Sequence, residues 1–188
     1  MTPMTIEAIL AAYHQRGDRL YGERVSQSQH ALQCAALAAE DGASEPLIIA
    51  ALLHDFGHLA EGIEDAAEPD IDARHEMAGA ALLGELFGPA VTRPIALHVA
   101  AKRYLCAVEP GYLEALSPAS VHSLTLQGGP FTSDQAAAFE RLEGASDAIR
   151  LRRWDDLGKQ PDATTPGFAS YTVMMRALTS GADVELRR

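Results

Sequence analysis

Basic residues are scarce in this chain. Fifteen Lys and Arg stand against 26 Asp and Glu, a formal charge of −11. Nucleic acid wants a basic face and an anionic membrane wants a polybasic patch, so neither is an expected partner. No apolar run reaches membrane-spanning length. The first residues lack a basic region followed by an apolar one, so no signal peptide is expected and the reading is a cytoplasmic protein. Cysteine is nearly absent. Cys34 and Cys106 both lie in apolar helical patterns and read as buried thiols, not a disulfide. Strand signals are missing too: no period-two alternation persists and β-branched residues are few. These absences leave an all-α chain, with residues 1–188 forming one compact helical bundle whose core spans about 5–180. A small anionic substrate stays possible, because local charge in a cleft can oppose net charge.

What is present is helical spacing. Ile6, Ile9, Leu10 and Tyr13 predict a short opening helix. A polar loop, 17–27, precedes a helix from about Ser28 to Glu40, ended by Asp41-Gly42. Ser44 is placed as an N-cap and Pro46 in the first turn of an apolar helix reaching His54-Asp55. Residues 59–74 read as a loop with six carboxylates, a solvated acidic segment or a cation-favouring lid. Further helices are predicted over His75–Leu86, Pro89–Tyr104, Pro118–Leu126, Ser133–Glu143, Ala145–Asp156 and Phe168–Leu178.

The stretch His54-Asp55-Phe56-Gly57-His58 is the anomaly in this pattern. An apolar run, Leu47–Leu53, delivers two imidazoles and a carboxylate towards the interior, where ionisable groups are costly unless paired or bound to a cation. Neutral imidazole and ionised carboxylate are both good metal ligands. His30, His54, Asp55, His75, His98 and Asp155 fall on five predicted helices, each among small or apolar neighbours. Taken singly, each histidine reads as a satisfied core residue and His-Asp as a chance dipeptide. Together they suffice for two metals sharing one carboxylate. His122 has no such setting and is left out.

The pattern of a His, a His-Asp pair and a late Asp resembles the HD-domain superfamily, and the additional His75 and His98 resemble its dinuclear branch. Five segments are similar to the mixed-valent di-iron HD oxygenases that cleave the C–P bond of 1-hydroxyphosphonates: Gln27-x-x-His30-Ala-Leu-Gln-Cys34, Ala50-Ala-Leu-Leu-His54-Asp55-Phe-Gly-His58, His98-Val-Ala-Ala-Lys102-Arg-Tyr-Leu105, Leu126-Gln-Gly-Gly-Pro130 and Trp154-Asp155-x-x-Gly158-Lys-Gln160. The resemblance covers nearly the whole chain and implies a single HD-type domain. It implies that His30, His54, Asp55 and Asp155 hold one iron and Asp55, His75 and His98 the other, as an Fe(II)/Fe(III) pair bridged by Asp55. It also implies that Lys102, Ser120 and Arg152 bind the phosphonate oxygens, that Glu23 meets the substrate's cationic nitrogen, and that His58 lies near the substrate and moves protons. Lys102 and His58 are thereby the catalytic candidates.

The expected partners are a small hydroxyphosphonate and O2. The expected products are phosphate with glycine betaine or glycine, and the trimethylammonio substrate is placed first. One position departs from the family pattern: Leu20 stands where the glycine-forming relative has a tyrosine, and Tyr21 is one place late. Taken without the resemblance, Lys102 reads as a surface lysine and Arg152 as half of an ion pair. The rivals are an HD-type metal-dependent phosphohydrolase, an inositol-type ring oxygenase and a non-catalytic metal-containing binding module.

Overall fold

Helix α3 (Glu45–Leu53) is apolar on every side, and Leu47 to Leu53 are all buried. A helix with no polar stripe belongs at the centre of a bundle. The computed structural model describes residues 3–20, 24–60 and 74–179, and there α3 packs against α2 (Gln27–Glu40), α5 (Pro89–Val108), α9 (Ala145–Leu157) and α10 (Ala169–Ala177). Helix α1 (Ile6–Arg16) lies outside α2 and α10, while α4 (His75–Leu83) lies on α5. A short α6 (Tyr112–Ala115), α7 (Pro118–Leu126) and α8 (Ser133–Glu140) complete the bundle. Among the described residues there is no strand, only an isolated antiparallel bridge between Phe87 and Thr179. No described helix is long and apolar enough to cross a membrane.

Local chemistry explains the helix starts. Thr5 accepts from the Ala8 N–H, while Ser26 with Gln29 and Thr132 with Gln135 form reciprocal capping boxes. Ser44 has the extended backbone of an N-cap, but its side chain caps nothing. The helix ends differ more from expectation. Helix α4 stops at Leu83 instead of Leu86, with Gly84 as its C-cap, and α8 stops at Glu140 instead of Glu143. Helix α5 runs on to Val108, past the expected Tyr104, because nothing breaks it before Pro110. Cys34 is buried, Cys106 half-buried, and both are free thiols.

Two glycines set a close approach that the site needs. A single 3-10 turn, Phe56–Leu59, lies against the start of α4. A Cβ on Gly57 would meet the His75 carbonyl oxygen at 2.0 Å, and one on Gly79 would meet the Gly57 nitrogen at 2.9 Å. Only hydrogen at both positions lets the two backbones touch.

Candidate metal centre and anion pocket

Helix α3 ends at Leu53, so His54 and Asp55 sit in the turn that follows it. Two successive helical residues point about 100° apart and could not face one spot. Asp55 leaves helical geometry (φ −97°, ψ 10°) and so does face the same interior point as His54. His30 arrives from the first turn of α2, His75 opens α4, His98 comes from the middle of α5, and Asp155 from the end of α9. All six predicted ligand side chains meet.

Asp55 is the hinge of the cluster. Its Oδ1 lies 3.3 Å from His75 Nε2, 3.5 Å from His54 Nε2 and 3.7 Å from His98 Nε2, and its Oδ2 lies 3.7 Å from His30 Nε2. Asp155 reaches only one side, with Oδ1 3.4 Å from His30 Nε2 and Oδ2 3.8 Å from His54 Nε2. The cluster therefore divides into His30, His54 and Asp155 on one side and His75 and His98 on the other, with Asp55 between.

The imidazoles are held with their lone pairs inward. Nδ1 of His30 is 2.8 Å from the Gly158 carbonyl oxygen, that of His54 is 2.9 Å from Ala51 O, and that of His98 is 2.7 Å from Ile95 O. A carbonyl accepts only, so each Nδ1 is the donor and each Nε2 is left as an acceptor. Yet His30 Nε2 and His54 Nε2 are 3.2 Å apart, as are those of His75 and His98 at 3.3 Å. Facing lone pairs repel at that range, whereas two ligands about 2.1 Å from one ion stand roughly 3 Å apart. The residues fit a cation on each side of Asp55.

Protonation agrees. Burial pushes His54 and His98 down, and for His98 strongly so. Asp55 and Asp155 are held well below the usual carboxylate range: burial opposes this, but His54 and His75 outweigh it at Asp55, and Arg152 and His30 at Asp155. His30 and His75 go up. Burial opposes their charge, and it is overcome at His30 by Cys34 and Asp155 and at His75 by Asp55. A proton held there is what a metal ion would displace.

Ligand-type atoms within 4.8 Å of one another also include Cys34 with His30 and His54. The thiol is 3.8 Å from both ring nitrogens of His30, so it does not lie along the Nε2 lone pair, and it donates to the Trp154 carbonyl. Burial raises its pKa further, which disfavours the thiolate that a metal requires. Asp155 is the better fourth donor.

Beside the cluster lies a cationic nook. Lys102, one turn beyond His98, is 2 % exposed and Arg152 4 % exposed, so neither is a surface residue. Lys102 Nζ donates to Ser123 Oγ at 2.7 Å, and Ser123 Oγ donates to the Ser120 carbonyl. Burial, with Arg152 nearby, pushes Lys102 down to about 8. Arg152 Nη1 donates to Asp155 Oδ2 at 2.6 Å, and its Nη2 is 3.5 Å from Ser120 Oγ. Arg152 is thus both half of an ion pair and an edge of the nook. At the Gln127–Pro130 motif Gly128 and Gly129 take positive φ, and Arg103 donates to both of their carbonyl oxygens, tying the end of α7 to α5.

His58 stacks on His75 with ring centroids 3.9 Å apart. Burial and His75 push it down to about 3, so its ring is unprotonated at neutral pH. His122 is exposed on α7, apart from the cluster. Glu23, Tyr21 and the acidic stretch 61–73 lie outside the described residues; Leu20 is exposed.

Sequence reasoning missed several contributors. Lys159 Nζ is 3.2 Å from Ser120 Oγ, and Gln33 clasps the backbone of Gln160 by two hydrogen bonds of 2.9 Å. These contacts hold the segment whose Gly158 carbonyl orients His30. The Gly158-Lys159-Gln160 motif was a visible signal; nothing marked Tyr112 or Asp156, which surround Arg152.

The HD-domain family pattern matches residues 28–110. Over 175 residues the chain is 40 % identical to a 1-hydroxy-2-(trimethylamino)ethylphosphonate dioxygenase (glycine-betaine-forming) of Leisingera caerulea, covering 92 % of this chain and 89 % of the relative. Over 168 residues it is 42 % identical to a hydroxymethylphosphonate dioxygenase of Gimesia maris, covering 88 % and 84 %.

Proposed function

The chain belongs to the HD-domain family, among its phosphonate dioxygenases, and on that premise we propose that it is an iron-dependent oxygenase cleaving the C–P bond of a 1-hydroxyphosphonate. The observation that carries the reading is the division of the ligand cluster around Asp55. The half formed by His75, His98 and Asp55 is two imidazoles and one carboxylate, the donor set of non-haem iron oxygenases, with positions left for substrate and oxygen. His30, His54, Asp155 and the shared Asp55 would hold the second iron.

When bound, the Fe(II)/Fe(III) pair supplies oxygen activation and a chelating site for substrate oxygens. The protein does the rest. Lys102, Arg152 and Ser120 take the phosphonate oxygens, Lys102 as a point charge and Arg152 through paired N–H donors. Their burial strengthens that attraction and keeps water from competing. Clamping the phosphonate orients C1, which bears the hydrogen to be lost, towards the cluster. His58, its ring fixed by stacking on His75, is the group assigned to move the proton of the substrate's hydroxyl.

The overall reaction balances without a further reductant. One oxygen atom enters C1, which passes from alcohol to carboxylate, and the other ends on phosphorus as phosphate. The C–P and C–H bonds break and one proton is released. 1-Hydroxy-2-(trimethylammonio)ethylphosphonate is the preferred substrate: a relative is named for it, and the resemblance assigns Glu23, outside the described residues, to its cationic nitrogen.

The test is oxygen uptake by iron-loaded protein given this compound, with phosphate assayed in parallel. One phosphate per oxygen consumed supports the reading. No turnover of this compound, 2-amino-1-hydroxyethylphosphonate or hydroxymethylphosphonate, but phosphate release from a phosphomonoester, identifies a phosphohydrolase. No turnover of either class identifies a binding module.

A further inference from the structure

Arg152 is more heavily engaged than a substrate-binding arginine needs to be. Its guanidinium has five N–H donors in a rigid fork. Nε donates to Asp156 Oδ2 at 3.2 Å and to the Tyr112 hydroxyl at 3.2 Å, and Nη2 donates to Asp156 Oδ1. The Tyr112 hydroxyl in turn donates to Asp156 Oδ2. One whole edge of the fork, Nε with Nη2, is therefore occupied by the Asp156–Tyr112 pair. The opposite edge, Nη1 with Nη2, is left facing Asp155 and Ser120, the side on which the anion nook and the ligand cluster meet.

From this we infer that Asp156, held in place by Tyr112, is a positioning residue for phosphonate binding: it sets the plane of the Arg152 fork so that the Nη1/Nη2 edge, shared with Asp155 and Ser120, is turned to the substrate. The inference rests on Arg152 being a phosphonate contact, as proposed above. The helix accounts for the division of labour. Asp155 and Asp156 are three and four residues after Arg152 on α9, so both carboxylates reach its guanidinium from one helix face. Asp155 also directs Oδ1 at His30 and Oδ2 at His54. If Asp156 were neutral, Asp155 would be the only carboxylate paired with Arg152, and the fork would turn towards it and away from the nook.

Tyr112 makes the clamp specific. It comes from α6, not α9, so it fixes Asp156 relative to a second element. Burial pushes its phenol up against the opposing pull of Arg152, which keeps the hydroxyl a donor to the carboxylate. The arrangement is a carboxylate bridging arginine and phenol, and a fork held at one edge loses little freedom when its other edge binds an anion.

The test compares Asp156→Asn, Tyr112→Phe and Arg152→Lys in the full iron-loaded protein. Binding of 1-hydroxy-2-(trimethylammonio)ethylphosphonate is measured anaerobically by titration calorimetry, which reads both Kd and the fraction of sites that bind. Expected are a Kd raised about tenfold in Asp156→Asn and about threefold in Tyr112→Phe, with the binding fraction kept. Arg152→Lys should weaken binding at least as much as Asp156→Asn. A purely structural role would lower the binding fraction and leave Kd alone, and that outcome overturns the inference. So does an unchanged Kd in Tyr112→Phe, should Asp156→Asn fail to fold. If Arg152→Lys weakens binding while the other two do not, the inference falls and the anion-nook reading stands. If Arg152→Lys binds normally, the role given to Arg152 falls and takes the inference with it.

Discussion

His30 Nε2 and His54 Nε2 stand 3.2 Å apart while Nδ1 of each ring is engaged by a backbone carbonyl, Gly158 for His30 and Ala51 for His54. Backbone positions these two lone pairs, and only a proton or a metal ion between them relieves their repulsion. His98, held by the Ile95 carbonyl, faces His75 Nε2 at 3.3 Å, and Asp55 spans the two pairs.

Asp55→Ala and Asp155→Ala should therefore differ. Asp55 approaches all four imidazoles, and Asp155 only His30 and His54. Iron analysis should find both sites depleted in Asp55→Ala and one site retained in Asp155→Ala, with affinity at the affected sites falling by at least about tenfold. Full retention of two irons in Asp55→Ala contradicts the shared ligand.

Phosphonate affinity should fall as pH rises. Lys102, pushed down to about 8 by burial and Arg152, is charged below that pH and neutral above it. A dianion binds the charged form, so affinity is fully present below about pH 8 and declines through and beyond it. In Lys102→Gln, binding at pH 7 should be weaker by about tenfold or more and nearly flat between about pH 7 and pH 9. Anaerobic Kd values across that range decide it; an unaltered pH profile in the variant assigns the titration elsewhere.

Gly57→Ala should damage stability and the centre together. The added Cβ would sit 2.0 Å from the His75 carbonyl oxygen, and backbone on both sides leaves nothing flexible to yield. A loss of about 2 kcal/mol or more is expected, with iron at the His75–His98 side depleted first. Chemical denaturation and iron analysis read the two effects; a variant as stable as the parent would show that the 3-10 turn can move off α4.

His58→Ala should separate chemistry from metal binding. His58 stacks on His75 and is not one of the six side chains assigned to the irons. Iron content should hold, and kcat should drop by about 10²-fold or more. An equal loss of iron and activity would make His58 a support for His75 instead of a proton acceptor.

The six-residue cluster was legible because each member interrupts an apolar helical pattern with a group that burial disfavours. His54-Asp55 after Leu47–Leu53 is the plainest case. The helices were legible from the same periodicity, though their ends were not. Leu83 and Glu140 are set by the turns that follow them, and α5 outlasts its apolar pattern. Contacts that cross the fold leave no periodic trace. Tyr112 and Asp156 meet over 44 positions, and Gln33 meets Gln160 over 127. His58 stands out in the chain as the end of the His54–His58 stretch, but its titration depends on burial and on His75, which only coordinates supply.

The most direct test of the shared-carboxylate centre is low-temperature EPR of partly reduced iron protein, recorded with and without 1-hydroxy-2-(trimethylammonio)ethylphosphonate. Two irons bridged by Asp55 in the Fe(II)/Fe(III) state should couple to a spin-one-half ground state whose signal shifts when substrate binds. A spectrum holding only isolated high-spin ferric iron, unchanged by substrate, would contradict a bridged pair beside a phosphonate nook.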